Sequence, residues 1–210
     1  MLVAEAVAAG WPIQAQFVAP GVTPVPGGGD VVHVLAPGVA ERIAATETPP
    51  GLFAVVATPR PDPTLLERAD LVVVADRVSD PGNLGTILRS AEAAGFDAVA
   101  VTPGTVDVLN PKVVRASAGA LFHVSVLPAD LTAVRQAGLR LVGTSSHRGT
   151  PHVDADWGGR LAIVAGSEAH GLDDAGIEDW VRIEHRGRAE SLNVAMAVTV
   201  LCFEAARQRR

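Results

Sequence analysis

From Leu71 onward the chain alternates short apolar runs with turn-rich segments and stretches of helical spacing. Leu71 to Ala75 (LVVVA) is nearly unbroken apolar sequence, the pattern of a strand buried on both faces. Similar strands are expected at Ala98 to Thr102, Phe122 to Leu127, Leu139 to Thr144, Leu161 to Ala165 and Val181 to His185. Between them, Leu84, Ile87, Leu88 and Ala91 fall at i, i+3, i+4 and i+7, which predicts a helix from Leu84 to Ala94 stopped by Gly95. Asp80-Pro81-Gly82 is turn chemistry ahead of it. Arg89, with Gly85, Thr86 and Ala93, lies on the side away from the apolar stripe. Alone, it reads as a solvated surface cation beside Glu92. Further helices are expected at Pro111 to Ala118, Leu131 to Gln136 and Leu192 to the end.

Alternating strands and helices imply a mostly parallel α/β sheet covered on both faces. Ligands of such sheets sit where loops leave the carboxyl ends of the strands. Four loops qualify: DRVSDPGNLG, GTSSHRGT, AGSEAHGL and HRGRAESLN. The first sixty residues differ, with brief apolar segments broken by Pro and Gly. They predict a helix, a strand at Ile13 to Val18, a polar loop over Gly27 to Asp30, a short strand and helix, and a strand near Leu52 to Ala57. That is a small α/β module over residues 1–58. The Pro-rich, charged residues 59–69 are expected to link it to a second domain, 70–210.

Composition narrows the classes. Aromatic residues make up 4% of the chain against 48% apolar residues, so the core is aliphatic. The single cysteine, Cys202, can form no internal disulfide, and no Cys/His spacing suggests zinc. With neither a spanning apolar run nor a basic leader, a cytoplasmic protein is expected. The formal charge of -6 argues against nucleic acid as a total. Arg182, Arg186, Arg188, Arg207, Arg209 and Arg210 nevertheless crowd the last thirty residues or so, leaving room for a local basic patch.

Common nucleotide and hydrolase motifs are missing. No loop carries GxGxxG, GxxxxGK[ST] or GxSxG, and His147 and His152 lack a third ligand, so no metal is expected. In AGSEAHGLDD, Gly166 and Gly171 permit close backbone approach, while Glu168 between them reads locally as a loop carboxylate or an oriented polar anchor. The C-terminal RAESLNVAMAVTVLCFEAARQRR places Ser191 and Asn193 at a helix start and is apolar almost all round for its next turns. A cap accounts for Ser191 better than for Asn193, and a buried helix with polar residues at its mouth suggests a site or subunit interface.

Three stretches together, DPGNLGTILRSAEAAGFDAV, LAIVAGSEAHGL and VRIEHRGRAESLNVAMAVTVLCFEAARQR, resemble the signature motifs of the SpoU (TrmH-like) RNA 2′-O-ribose methyltransferases of the SPOUT superfamily. NPKVVRASAGALFHV between them is similar as well. The resemblance spans nearly all of residues 70–210. It implies a parallel-sheet domain with a C-terminal deep trefoil knot, S-adenosylmethionine as methyl donor, RNA as substrate and a homodimer. The N-terminal module resembles the ribosomal-protein-like RNA-binding unit of some members, and is short at its beginning.

By position, the resemblance assigns Thr144, Gly166, Ile183 and Leu192 to the donor pocket. It gives Arg89 to the reaction, Asn83 to ordering the loop that positions it, Glu168 to knot and dimer geometry, and Ser191 and Asn193 to completing the pocket. Arg115, Arg186 and Arg188 are weaker candidates for RNA phosphate contacts. The sequence departs from the family where Glu184-His185 replaces the usual Pro-Met and where Ala169-His170 follows Glu168. The implied function is methylation of a ribose 2′-hydroxyl, with 23S ribosomal RNA favoured. The alternatives are tRNA as substrate, or a non-catalytic RNA-binding or ribosome assembly factor.

Overall fold

The computed structural model describes residues 2–44, 48, 50–167, 172 and 176–210. They form two compact units, Met1–Arg60 and Pro61–Arg210. In the first, α1 (Leu2–Ala8) precedes β1 (Ile13–Val18), β2 (Val32–Val34), α2 (Val39–Ile43) and β3 (Leu52–Val56). The central β1 runs parallel to β2 and antiparallel to β3. Gln16 of β1 is buried, and its amide is satisfied by the Val25 N–H at 2.8 Å and the carbonyls of Val25 and Gly28 at 3.0 and 3.1 Å. One side chain thus holds the Gly-rich loop against the sheet.

The second unit is built on seven parallel strands: β4 (Leu71–Ala75), β5 (Ala98–Val101), β6 (Ser125–Pro128), β7 (Arg140–Ser145), β8 (Thr150–Pro151), β9 (Leu161–Ala165) and β10 (Asp179–Arg182). Their order is β6-β5-β4-β9-β7-β10-β8. β4 and β9 at the centre are buried at every residue, as their unbroken apolar sequences require. Alternate side chains face opposite sides. Val72, Val74, Ala162 and Val164 share one core with Leu66 of α3 (Leu65–Arg68) and Val134 of α6 (Leu131–Gln136). The other face is covered by α4 (Pro81–Ala93) and α7 (Val194–Gln208), with α5 (Pro111–Ala116) packed on α4. At the amino ends of the strands, Arg160 donates to the carbonyls of Ala69, Ala137 and Leu66, tying the ends of α3 and α6 to β9.

Several elements depart from the pattern reading, each for a local reason. α4 begins at Pro81, because Asp80 accepts the Asn83 N–H at 2.8 Å as its cap and Pro81, lacking an N–H, suits the first turn. Gly85 is buried rather than sharing Arg89's exposed side, since α5 crosses there. α5 stops at Ala116, and Ala118 has φ 52°, outside the helical region. Phe122 lies in a 3₁₀ turn, Ala120–Phe122, so the following strand starts only at Ser125. β10 spans Asp179–Arg182, earlier than expected, in register with Val142–Ser145, and Asp179 pairs with Arg140. The short β8 has no counterpart in the sequence reading. The stretch read as a linker contains α3, whose Leu66 is buried in the core of the second unit.

Candidate active site at the carboxyl edge of the sheet

β9, β7 and β10 are neighbours, so their carboxyl-end loops converge. They enclose a cavity of about 330 Å³ with the first turns of α7. The end of β7 and the residue after it contribute Thr144, Ser145 and Ser146; the chain beyond β9 contributes Gly166 and Ser167; the chain beyond β10 contributes Ile183 and His185. Ser191, Leu192, Asn193 and Val194 complete the wall. The four residues assigned to the donor pocket, together with Ser191 and Asn193, therefore line one cavity. Its surface mixes hydroxyl and amide groups with the aliphatic side chains of Leu172, Val181, Ile183 and Leu201. The size and mixture fit a drug-sized ligand with an apolar and a zwitterionic part, as S-adenosylmethionine is.

Sequence reasoning missed Ser145, Ser146 and His185 as lining residues. The loop GTSSHRGT was flagged, but its two serines carry no motif of their own. His185 stands where the family's Pro-Met is replaced, and the imidazole now forms part of the wall.

The helix starts are joined. Asn193 is the cap of α7, accepting the N–H groups of Ala195 and Met196 at 3.0 and 3.2 Å. This corrects the expectation that Ser191 is the better cap. The Asn193 amide also donates to Asn83 Oδ1 at 2.9 Å, so one residue links the mouth of the cavity to the first turn of α4. Further along, Ser90 and Thr199 meet at 2.6 Å. Thr199 already donates to the Ala195 carbonyl, so Ser90 supplies the proton between them.

Arg89 follows Asn83 by six residues, about 9 Å along the α4 axis. It is exposed and makes no hydrogen bond or ion pair among the described residues, Glu92 included. Arg115 is exposed on α5, and Arg186 and Arg188 are exposed beyond the cavity residue His185. Glu168 lies outside the described residues.

Ahead of α4, Asp76 is buried at the end of β4. It accepts the Thr102 hydroxyl at 2.8 Å and two Arg77 N–H groups at 3.1 and 3.0 Å. Its own N–H reaches the Ala165 carbonyl, next to Gly166 of the cavity. Arg77 sits at φ 55°, an uncommon conformation held by this network and by its N–H bond to Thr102. Cys202 is buried in α7, and burial pushes its thiol pKa up, so no thiolate is on offer.

Comparison with known proteins shows the family. Residues 70–203 match the family model described as the SpoU rRNA Methylase family. The chain is 35% identical over 178 residues to the 23S rRNA (guanosine(2553)-2′-O)-methyltransferase RlmP of Bacillus subtilis, covering 81% of this chain and 71% of that one. It is 37% identical to the 23S rRNA (uridine(2479)-2′-O)-methyltransferase of Streptomyces viridochromogenes, covering 78% of this chain and 62% of that relative's length. The crystal structure of the SpoU methyltransferase AviRb from Streptomyces viridochromogenes, in complex with AdoMet, superposes with a TM-score of 0.84 at 31% identity. That match covers 99% of this chain and 87% of the other.

Proposed function

We propose that this chain, which belongs to the SpoU rRNA Methylase family, transfers a methyl group from S-adenosylmethionine to a ribose 2′-hydroxyl of 23S ribosomal RNA in the cytoplasm. The observation that carries this reading is the single cavity lined by Thr144, Gly166, Ile183, Leu192, Ser191 and Asn193, bonded through Asn193 to the helix of Arg89. When bound, S-adenosylmethionine supplies a methyl carbon on a positively charged sulfur. The ribose oxygen forms the C–O bond as the C–S bond breaks, and the hydroxyl proton leaves to an RNA phosphate or water.

Each residue has a role in that reading. Arg89 orients the hydroxyl and an adjoining phosphate and stabilises negative charge building on the oxygen. Asn83 and Asn193 fix the start of α4 relative to the cavity. Backbone and side-chain groups of Thr144, Gly166, Ile183 and Leu192 hold the donor, and Ser191 closes the pocket. Glu168 keeps the part in knot and dimer geometry that the family resemblance gives it. Arg115, Arg186 and Arg188 meet RNA phosphates, and the first unit is an RNA-binding module.

A deep trefoil knot and a homodimer belong to the same proposal. On α7, Met196, Val200 and Phe203 expose an apolar row (62%, 38% and 49% of their surface), continuing from Leu192 at 38%, although the opposite side of the helix is buried. Scattered exposed apolar residues are ordinary, but a row on one helix supports a subunit contact.

The test is methyl transfer from labelled S-adenosylmethionine to unmodified 23S rRNA and, separately, to tRNA. Arg89→Ala is expected to lower turnover by about a hundred- to a thousandfold, with donor affinity by calorimetry unchanged. Undiminished turnover in that variant removes Arg89 from the reaction. Donor and RNA binding without transfer to either RNA favours an assembly factor.

A further inference from the structure

We infer that Arg148, seated on the indole of Trp180 beside the cavity, contacts a phosphate of the RNA strand whose ribose is presented there; this rests on the RNA reading above. The Arg148 guanidinium carbon lies 3.6 Å from the Trp180 ring centroid. The ring holds the guanidinium in place by a cation–π contact, and arginine is well suited to phosphate recognition.

The loop that carries it is already built. Ser145, which lines the cavity, accepts the N–H groups of His147 and Arg148 at 3.2 and 3.3 Å. Arg182 binds the Gly149 carbonyl. Gly149 has φ 99°, and a side chain there would meet Trp180 Cβ at 2.8 Å, so only glycine lets the loop lie this close to β10. β8 then pairs with β10 at Thr150 and Pro151. A cation on a clamped loop loses little freedom when a ligand arrives.

The local charge points to a polyanion. From Gly143 to Val153 the sequence holds no acidic residue but includes His147, Arg148 and His152. Across the cavity, His185 forms part of the wall and Arg186 and Arg188 are exposed. That segment holds two acidic residues, Glu184, which lies 3.5 Å from Arg182, and the exposed Glu190, and Arg148, Arg182, Arg186 and Arg188 outnumber them. Two loops from adjacent strands, β7 and β10, thus give the cavity a positive border on a chain of net charge -6. Such a border attracts a phosphate backbone whatever the total charge.

The experiment is filter binding of the full chain to a full-length unmodified 23S rRNA transcript over a range of KCl, with wild type, Arg148→Gln and Arg148→Lys. Losing one phosphate contact is expected to reduce the salt slope of log affinity by about 0.7 to 0.9 in Arg148→Gln. Arg148→Lys, which keeps the charge, restores most of that slope. Calorimetric affinity for S-adenosylmethionine stays at the wild-type value in both variants, which separates a charge effect from a damaged fold. A wild-type slope in Arg148→Gln, with salt-sensitive binding by the wild type, overturns the assignment alone. An equal loss in both variants also overturns it, because packing rather than charge is then responsible. Absence of salt-sensitive RNA binding by the wild type overturns the RNA reading and this assignment together.

Discussion

Asn193 performs two tasks at once, and they can be separated. Its side-chain oxygen caps α7 through Ala195 and Met196, while its amide nitrogen bonds Asn83. Replacing a cap of this type by alanine costs about 1 kcal/mol. The bond to Asn83 is exposed, so it contributes about 0.5 kcal/mol, the low end for a neutral hydrogen bond. Asn193→Ala should therefore lose about 1.5 kcal/mol, roughly 3 to 6 °C in melting temperature for a chain of this size. Asn193→Ser keeps an acceptor for the cap but is too short to reach Asn83, so about 0.5 kcal/mol and 1 to 2 °C are expected. Affinity for S-adenosylmethionine should follow, because Ser191, Leu192 and Val194 share the wall that the cap holds. Loss of 1.4 kcal/mol corresponds to tenfold, which bounds the weakening in Asn193→Ala at about tenfold. The assays are thermal denaturation and donor calorimetry, with a double-mutant cycle against Asn83→Ala. Equal destabilisation by Ser and Ala, or zero coupling between positions 83 and 193, would refute the division of roles.

Two further outcomes follow from packing and charge. Gly85→Ala should destabilise by about 1 to 3 kcal/mol despite the better helix propensity of alanine, because the added carbon falls 2.9 Å from the backbone carbonyl carbon of Ala116 and the Ser117 nitrogen at the end of α5; a raised urea midpoint refutes it. Hydrogen bonds from Arg207 hold the Glu204 carboxyl at about 2, below its ordinary 4.5. A depressed carboxyl pKa stabilises the fold above the unfolded value and ceases to do so as pH falls through the folded one. The wild-type advantage over Glu204→Gln should thus be present above pH 4.5, shrink between 4.5 and 2 and vanish below; a difference that persists at lower pH contradicts the pairing.

Much of the second unit was legible because its strands are buried on both faces. LVVVA and LAIVA each became a central strand with the expected limits. The core face of α4 followed from spacing, since Leu84, Ile87, Leu88 and Ala91 are all fully buried. Spacing could not tell that α5 crosses at Gly85, because that contact comes from another segment. β10 was misplaced because WVRIEH is equally apolar under two registers, and pairing with β7 rather than hydropathy decides between them. The donor-pocket residues came from the resemblance alone. Their loops show only small polar residues, and three strands must be adjacent before those residues form a wall. The cap at Asn193 was hidden for a different reason: Ser191 and Asn193 have the same capping chemistry, and only backbone geometry chooses.

Strand order has a consequence for how the molecule is made. β7 lies between β9 and β10, and both of its partners come later in the chain. During synthesis, the first three strands of the sheet can pair among themselves as soon as they emerge. β7, from Arg140 to Ser145, has no neighbour to bond until β9 is complete at Ala165. Its apolar residues and both backbone edges then wait, unpaired, through some twenty residues of elongation, about one to four seconds at ordinary rates. The strand that supplies one wall of the cavity is thus also a segment open to wrong partners before the chain is finished. Closure of the sheet is a late, long-range event, and a nascent chain halted between β7 and β9 holds the β4–β6 half of the sheet and an unplaced strand.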